Sequence, residues 1–277
     1  MKKSMMTAAA VTAACLSAGA YAQGTGDNVV SLGWFHVMPQ DSSTPLTTYV
    51  APTPINTPLR LPNQFTSSGT GLSTNNADTL GLLITHFWTD HIATTTVAGV
   101  PPKFKIYGSG TIKPPGPAGA LGTQDLGDPG ANPIVKSVRQ WSPALIFQYY
   151  FRKPTDKFRP FAGIGVSYNW FSDIQLSKGF VQSTQNNLGA VLAAGAGKPG
   201  TTTVEGKASS SWAPVFNLGA TYSITNHIGV VASVTYIPLK TYSSVIVRAA
   251  DGTELSDSKA KLSADPIITY VGLSYKF

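Results

Sequence analysis

The chain has 277 residues, of which 12% are charged and one, Cys15, is cysteine, with a formal net charge of +7. Globular proteins carry about 25% charged residues, so a chain this poor in charge has a second apolar surface to hide, and beyond residue 15 it offers no disulfide or Cys-based metal site. The basic excess is mild and scattered, without the Lys/Arg run of nucleic-acid binding, and no stretch after residue 22 approaches the roughly 18 uninterrupted apolar residues of a transmembrane helix.

Residues 1–22 read as a secretory signal. Met1-Lys2-Lys3 is a basic start, Met5 to Ala20 an uncharged run, and Ala20-Tyr21-Ala22 an A-x-A cleavage site before Gln23. A lipoprotein signal at Cys15 is the competing reading, but it needs a Leu-like residue three positions earlier, where Thr12 stands. The expected mature protein is therefore 23–277. Without a helical span, the structure that satisfies every backbone group in lipid is a closed barrel. Export and low charge thus point to the outer membrane.

The elements that follow alternate with period two over about ten residues, as tilted membrane strands do. Strands are expected at 28–38 (NVVSLGWFHVM), 79–88 (TLGLLITHFW) and 92–106 (IATTTVAGVPPKFKI). Pro101 and Pro102 fall inside the third, where proline cannot donate to the ladder. That weakness reads either as a side exit toward lipid or as the strand's outer end. Segment 138–151 sets Trp141, Leu145, Phe147, Tyr149 and Phe151 against Ala144, Ile146, Gln148 and Tyr150. In 158–171, Ile164, Val166, Tyr168 and Trp170 face outward, while the inward Gly163 and Gly165 let the far wall approach. The clearest alternation is 212–224, with Trp212, Phe216, Leu218 and Tyr222 opposite Ala213, Val215, Asn217 and Thr221. Strands at 228–240 and 264–277 complete an all-β, eight-stranded antiparallel transmembrane barrel.

Its connections sort by length. Residues 89–91, 153–157 and 225–227 are tight turns, whereas 39–78, 107–137, 172–211 and 241–263 are long. Short turns belong to the periplasmic side, with both termini, and long loops outside. The first two loops are rich in Pro and Gly and the third carries a Gly/Ala tract, and these are expected to be extended or mobile surface. The aromatic residues Trp88, Trp141, Trp170, Trp212 and Tyr275 fit interfacial girdles. Arg at Leu218 or Val166 is expected to harm folding more than Arg at Thr221 or Ser167, since the first pair faces lipid.

These segments resemble the outer membrane protein W family, which includes the alkane-uptake porins. The resemblance is carried by WTDHI at 88–92, VPPKFKI at 100–106, FQYYF at 147–151, KFRPFAGIGVSYNWF at 157–171, SWAPVFNLGATYSITNHIGVVASVTYIPL at 211–239 and DPIITYVGLSYKF at 265–277. It covers essentially every strand and turn, and KFRPFAGIG is its most specific part. The first two loops are longer and more Pro-rich than the family pattern. What the resemblance implies is a barrel with a hydrophobic lumen that takes up small apolar molecules and releases them sideways into the membrane.

The residues agree in part. Eight strands enclose room for side chains or one small ligand and no aqueous pore. By alternation the lumen lining includes Phe35, Val37, Leu83, Phe87, Val97, Ile146, Phe161, Val215, Val231, Ile268 and Tyr270, with Lys103, Lys105 and Arg159 as its few charges. Such a lining suits an apolar ligand and not an ion; the competing reading is that it fills the barrel as a core. The lateral exit is placed at Pro101 and Pro102, beside a lipid-facing Phe104 and lined by Val97 and Phe87. His86 and His91 lack the HExxH spacing of a zinc site, and no compact Ser/His/carboxylate constellation stands out. No metal, cofactor, catalysis or nucleic-acid partner is expected. The partners expected are outer-membrane lipids and small apolar solutes. A surface-interaction barrel without transport and a lipid-modifying enzyme are the alternatives.

Overall fold

Alternation at period two yields eight long strands that meet in a ring. The computed structural model describes residues 23–54, 56–120 and 122–277; the expected signal segment lies outside them. In chain order the barrel strands are Asn28–Met38, Ala77–Phe87, Ile92–Gly99, Ala144–Tyr150, Phe158–Leu176, Ser211–Ser223, Ile228–Tyr236 and Ile267–Lys276. Each pairs antiparallel with its neighbours, and the eighth closes onto the first from Val29↔Lys276 to Met38↔Ile267.

Outward positions carry the apolar surface that the low charge foretold. Ile164, Leu218, Val271 and Leu273 are each more than 60% exposed, while their neighbours Val215, Tyr270 and Ser274 are at most 5% exposed. Trp34, Trp141, Trp170 and Trp212 ring one end of this band, and Trp88, Tyr149, Tyr222 and Tyr275 the other. From Trp212 to Tyr222 the strand advances about 33 Å at 3.3 Å per residue. Tilted by about 40°, that is a band about 25 Å tall, the height of an outer-membrane apolar belt.

A row of glycines crosses four adjacent strands in register, Gly272↔Gly33↔Gly81↔Gly99. They point inward, and lumenal rings lie on them. A Cβ on Gly81 would stand 1.9 Å from the Phe35 ring, and one on Gly33 would stand 2.8 Å from the ring of Tyr270.

The third expected strand is interrupted. The pairing of Ile92–Gly99 ends there, and the chain resumes at Lys103–Ser109, which pairs with Val135–Trp141 and Gly71–Thr74. Two consecutive residues without an amide hydrogen end the ladder, so Pro101 and Pro102 lie between strands and not inside one. Crossing them shifts the side-chain alternation by one residue, which turns every following side chain over. Lys103 and Lys105 are therefore exposed outside, not in the lumen, and Phe104, expected toward lipid, is 5% exposed and points inward.

The long loops are also more ordered than expected. Parts of the first, third and fourth form a six-stranded sheet in the order Thr203–Ala208, Lys240–Arg248, Glu254–Ser263, Leu46–Val50, Gln64–Ser67, with Ser42–Ser43 beside Glu254–Ser263. The turn of helix at Lys178–Thr184 and the segment Ala190–Gly195 pack beneath it. Leu46, Phe65, Phe104, Phe180, Leu188 and Val247 share one apolar cluster. The third loop contributes one strand to this sheet, the fourth two and the first three of at most five residues, so no single loop shows a core of its own.

Candidate functional site

The barrel interior is divided into storeys by which side chains its strands turn inward. In the middle is a cavity of about 380 Å³, within the size range of ligand sites. Phe35, Val37, Leu83, Val97, Ile146 and Val215 line it, with Ile237 and Ile268. Above, inside the cap, lies a second apolar cavity of about 90 Å³ lined by residues such as Leu72, Ile112, Val138 and Phe180. The two share Val37, Phe104, Gln140 and Pro266.

A polar chain crosses the barrel under the middle cavity. The hydroxyls of Thr85 and Thr95 are 2.7 Å apart, and Thr95 donates to Gln148 Oε1 at 2.6 Å. Gln148 Nε2 donates to Asn217 Oδ1 at 2.8 Å, and Asn217 Nδ2 to Thr235 Oγ1 at 2.8 Å. Because Thr95 and Gln148 also line the roof of a cavity of about 20 Å³ below, this chain is a floor. Such a network satisfies its own donors and acceptors, which is what makes it tolerable in a barrel core.

Beneath the floor side chains fill the barrel apart from that small cavity. Phe87, Ala93, Tyr150, Phe161, Val231 and Tyr270 are at most 5% exposed and form one cluster, with Phe87 and Tyr150 rings 4.7 Å apart and Tyr150 and Phe161 5.0 Å apart. Arg159 is wholly buried against them. Its guanidinium donates to the carbonyls of Gln23 and Asp90 and lies 5.2 Å from the Tyr150 ring centre and 5.8 Å from that of Phe87. Carbonyl dipoles and π-faces replace the water that a buried cation loses.

On one side the middle cavity reaches through the wall. The third and fourth strands pair up to Val97↔Ala144, and pairing resumes only at Lys103↔Arg139. Across the gap runs one backbone bond, from Gln140 N to Pro102 O at 3.1 Å. Its rims are Ala98–Pro102 and Gln140–Pro143, all lining the cavity, together with the outward Leu80 and Trp141. Pro101 and Pro102 lack amide hydrogens that would continue the ladder across it, whereas Pro143, whose carbonyl accepts from Tyr168 N at 3.2 Å, turns its missing donor toward the fifth strand.

Of the lining residues expected from alternation, Phe35, Leu83, Val97, Ile146 and Val215 meet in this cavity, as do Pro101 and Pro102. Phe87, Phe161 and Tyr270 do not; all three belong to the cluster below the floor, where Tyr270 lies against Phe35 with ring centres 4.6 Å apart. Phe87 therefore does not border the gap in the wall. The reading missed Pro143, visible in WSPALIF as a proline on the opposite rim, and the connection between Gln148 and Asn217. His86 Nδ1 is 2.9 Å from Asn28 Oδ1 and His91 Nδ1 2.8 Å from the Tyr150 carbonyl, and among the described residues no three His, Cys, Asp or Glu side chains are placed to hold a metal.

A family model described as the OmpW family matches residues 44–277. Outer membrane protein W of Vibrio cholerae serotype O1 is 26% identical over 268 residues, 97% of this chain and 96% of that protein. Outer membrane protein W of Escherichia coli K12 is 32% identical over 103 residues, 37% of this chain and 39% of that protein. Among solved structures, the crystal structure of the outer membrane protein OprG from Pseudomonas aeruginosa superposes with a TM-score of 0.67 at 20% identity, covering 93% of this chain and 98% of that one.

Proposed function

Because the chain belongs to the OmpW family of outer-membrane barrels, we propose that it carries small apolar molecules from outside into its middle cavity and releases them through the wall into lipid. The observation that carries this reading is the continuity of the cavity with the gap between the third and fourth strands.

Downward passage is opposed by the polar floor and by the Arg159 plug. An apolar solute would also gain nothing there, because each CH₂ moved from hydrocarbon into the aqueous periplasm costs about 0.8 kcal/mol. Sideways, past the one Gln140–Pro102 backbone bond and the polar side chains of Gln140 and Ser142 on one rim, the same solute meets Leu80, Val100 and Trp141 and then acyl chains. In this scheme Phe35, Leu83, Val97, Ile146 and Val215 bind the solute, Phe87, Phe161 and Tyr270 support the floor from below, and Pro101 and Pro102 keep the exit open.

The test is uptake of a labelled alkane by liposomes carrying the protein. Replacing Pro101 and Pro102 together with Thr or Val supplies two amide donors to the rim; the folded variant should take up alkane several-fold more slowly. Uptake at the original rate would sink the exit. One observation favours a second reading, a surface-interaction barrel without transport: the folded cap presents a broad ordered surface outside. A protein of that kind would leave alkane uptake at the level of empty liposomes.

A further inference from the structure

The charge of the outer wall is concentrated beside the lateral gap. Lys103 and Lys105 stand on Lys103–Ser109, and Lys136 and Arg139 on its neighbour Val135–Trp141, with Arg139 directly opposite Lys103. Phe104 is buried and turned inward, so the two lysines flanking it turn out. Arg139 pairs with Asp173 at 3.1 Å. Among the described residues Lys103, Lys105 and Lys136 have no carboxylate partner.

Their height is fixed by the girdle. Trp141 stacks on Trp170 with ring centres 5.7 Å apart, and paired interfacial tryptophans mark the headgroup boundary. Arg139 is two residues above Trp141, and at 3.3 Å per residue and a tilt of about 40° Lys103 sits about 5 Å, and Lys105 about 10 Å, above that level. The polar headgroup layer is about 5–8 Å thick on each side of a bilayer. Lys103 thus lies in the headgroup layer, and the long flexible side chains of Lys105 and Lys136 reach down to it from just above. At the corresponding level on the first and second strands the charge is acidic instead: Asp78 accepts from Trp34 Nε1 at 3.0 Å and lies 2.6 Å from His36 Nδ1.

We propose that Lys103, Lys105 and Lys136 form a docking site for the phosphates of the anionic glycolipid of the outer leaflet, placed beside the lateral gap. The site is outside the wall and faces away from the cavity, so it does not serve the transported solute. It rests on the outer-membrane location and not on the transport reading; loss of alkane uptake and loss of glycolipid binding are separate results.

The experiment measures binding of bis-phosphorylated lipid A to the full barrel in detergent by native mass spectrometry. The comparison is a K103Q/K105Q/K136Q variant, with folding checked by heat-modifiable mobility on gels. Each lysine near a charged membrane surface contributes about fivefold, so the triple variant should bind on the order of 100-fold more weakly. Dephosphorylated lipid A should bind both proteins equally and weakly. A K178Q/K240Q variant, which loses two cap lysines elsewhere, should bind as the unsubstituted protein does. The proposal is overturned if the triple variant binds within about threefold of the original, if K178Q/K240Q weakens binding as much, or if millimolar inorganic phosphate displaces the lipid completely.

Discussion

Leu218 is 65% exposed on the sixth strand, paired with Val234 and Ala162, six residues below Trp212 and four above Tyr222. That places it near the middle of the apolar band. Substitution by Arg there should lower stability by about 2–4 kcal/mol, against about 0–1 kcal/mol near an interface. Ile228, paired with Tyr275 at the inner girdle, supplies the interfacial comparison. On the inner face the fair comparison is Thr235, which borders the open cavity. Thr221 and Ser167, read from alternation as tolerant lumenal sites, are 4% and 0% exposed and packed against Arg159 and Asn169, so they have no room for a second long cation. Thr235→Arg removes the hydroxyl that accepts from Asn217 and should cost about 1 kcal/mol. Urea unfolding in phospholipid vesicles, followed by tryptophan fluorescence, measures all three. Between Leu218→Arg and Ile228→Arg the folding equilibrium should differ by at least about fivefold. Equal losses at the two depths would refute the placement of the band.

Gly33→Ala should destabilise the barrel by about 1–3 kcal/mol through overpacking, because its Cβ would stand 2.3 Å from the Val271 carbonyl oxygen and 2.5 Å from Gly272 Cα; a loss below about 0.5 kcal/mol in the same titration would contradict the register of the closing seam. In the cap, the Lys198 ammonium, 2.6 Å away, and then the Thr253 amide and hydroxyl hold the Asp251 carboxyl at about 2. A depressed carboxylate stabilises the fold above its unfolded value of about 3.9, and that contribution disappears as pH falls toward 2. Carboxyl NMR should find Asp251 half-protonated near pH 2, and near the ordinary value in Lys198→Gln; titration near pH 4 in both proteins would remove the pair from the account.

The strands were legible because a wall with lipid on one side and a narrow interior on the other imposes the same rule on every residue. From Trp212 to Ser223 that rule holds almost without exception, and the first strand was placed at its observed limits, Asn28–Met38. It failed where the ladder failed. Counting on past Pro101-Pro102 as though pairing continued assigned Lys103, Phe104 and Lys105 to the wrong faces, since alternation carries no memory across a break. The cap was illegible for another reason. Leu46 and Phe65 come from the first loop and Val247 from the fourth, about 200 residues away, and only their assembly makes a core. Gln148 and Asn217 were readable as inward and polar, but that their side chains join across the barrel depends on its diameter and stagger, which one strand does not contain.

The Arg159 plug bears on what the barrel does to the electrical properties of its membrane. A fixed positive charge fills the periplasmic mouth, with its hydrogen bonds committed to the carbonyls of Gln23 and Asp90 and aromatic rings packed around it. Ions need a continuous file of water or exchangeable ligands to cross, and among the described residues the interior below the Gln148 floor encloses a cavity of about 20 Å³, space for about one water molecule. A cation approaching from the periplasm meets like charge, and an anion meets a guanidinium it cannot reach without displacing the chain's own carbonyls. Among the described residues, the barrel below the floor is therefore closed to ions.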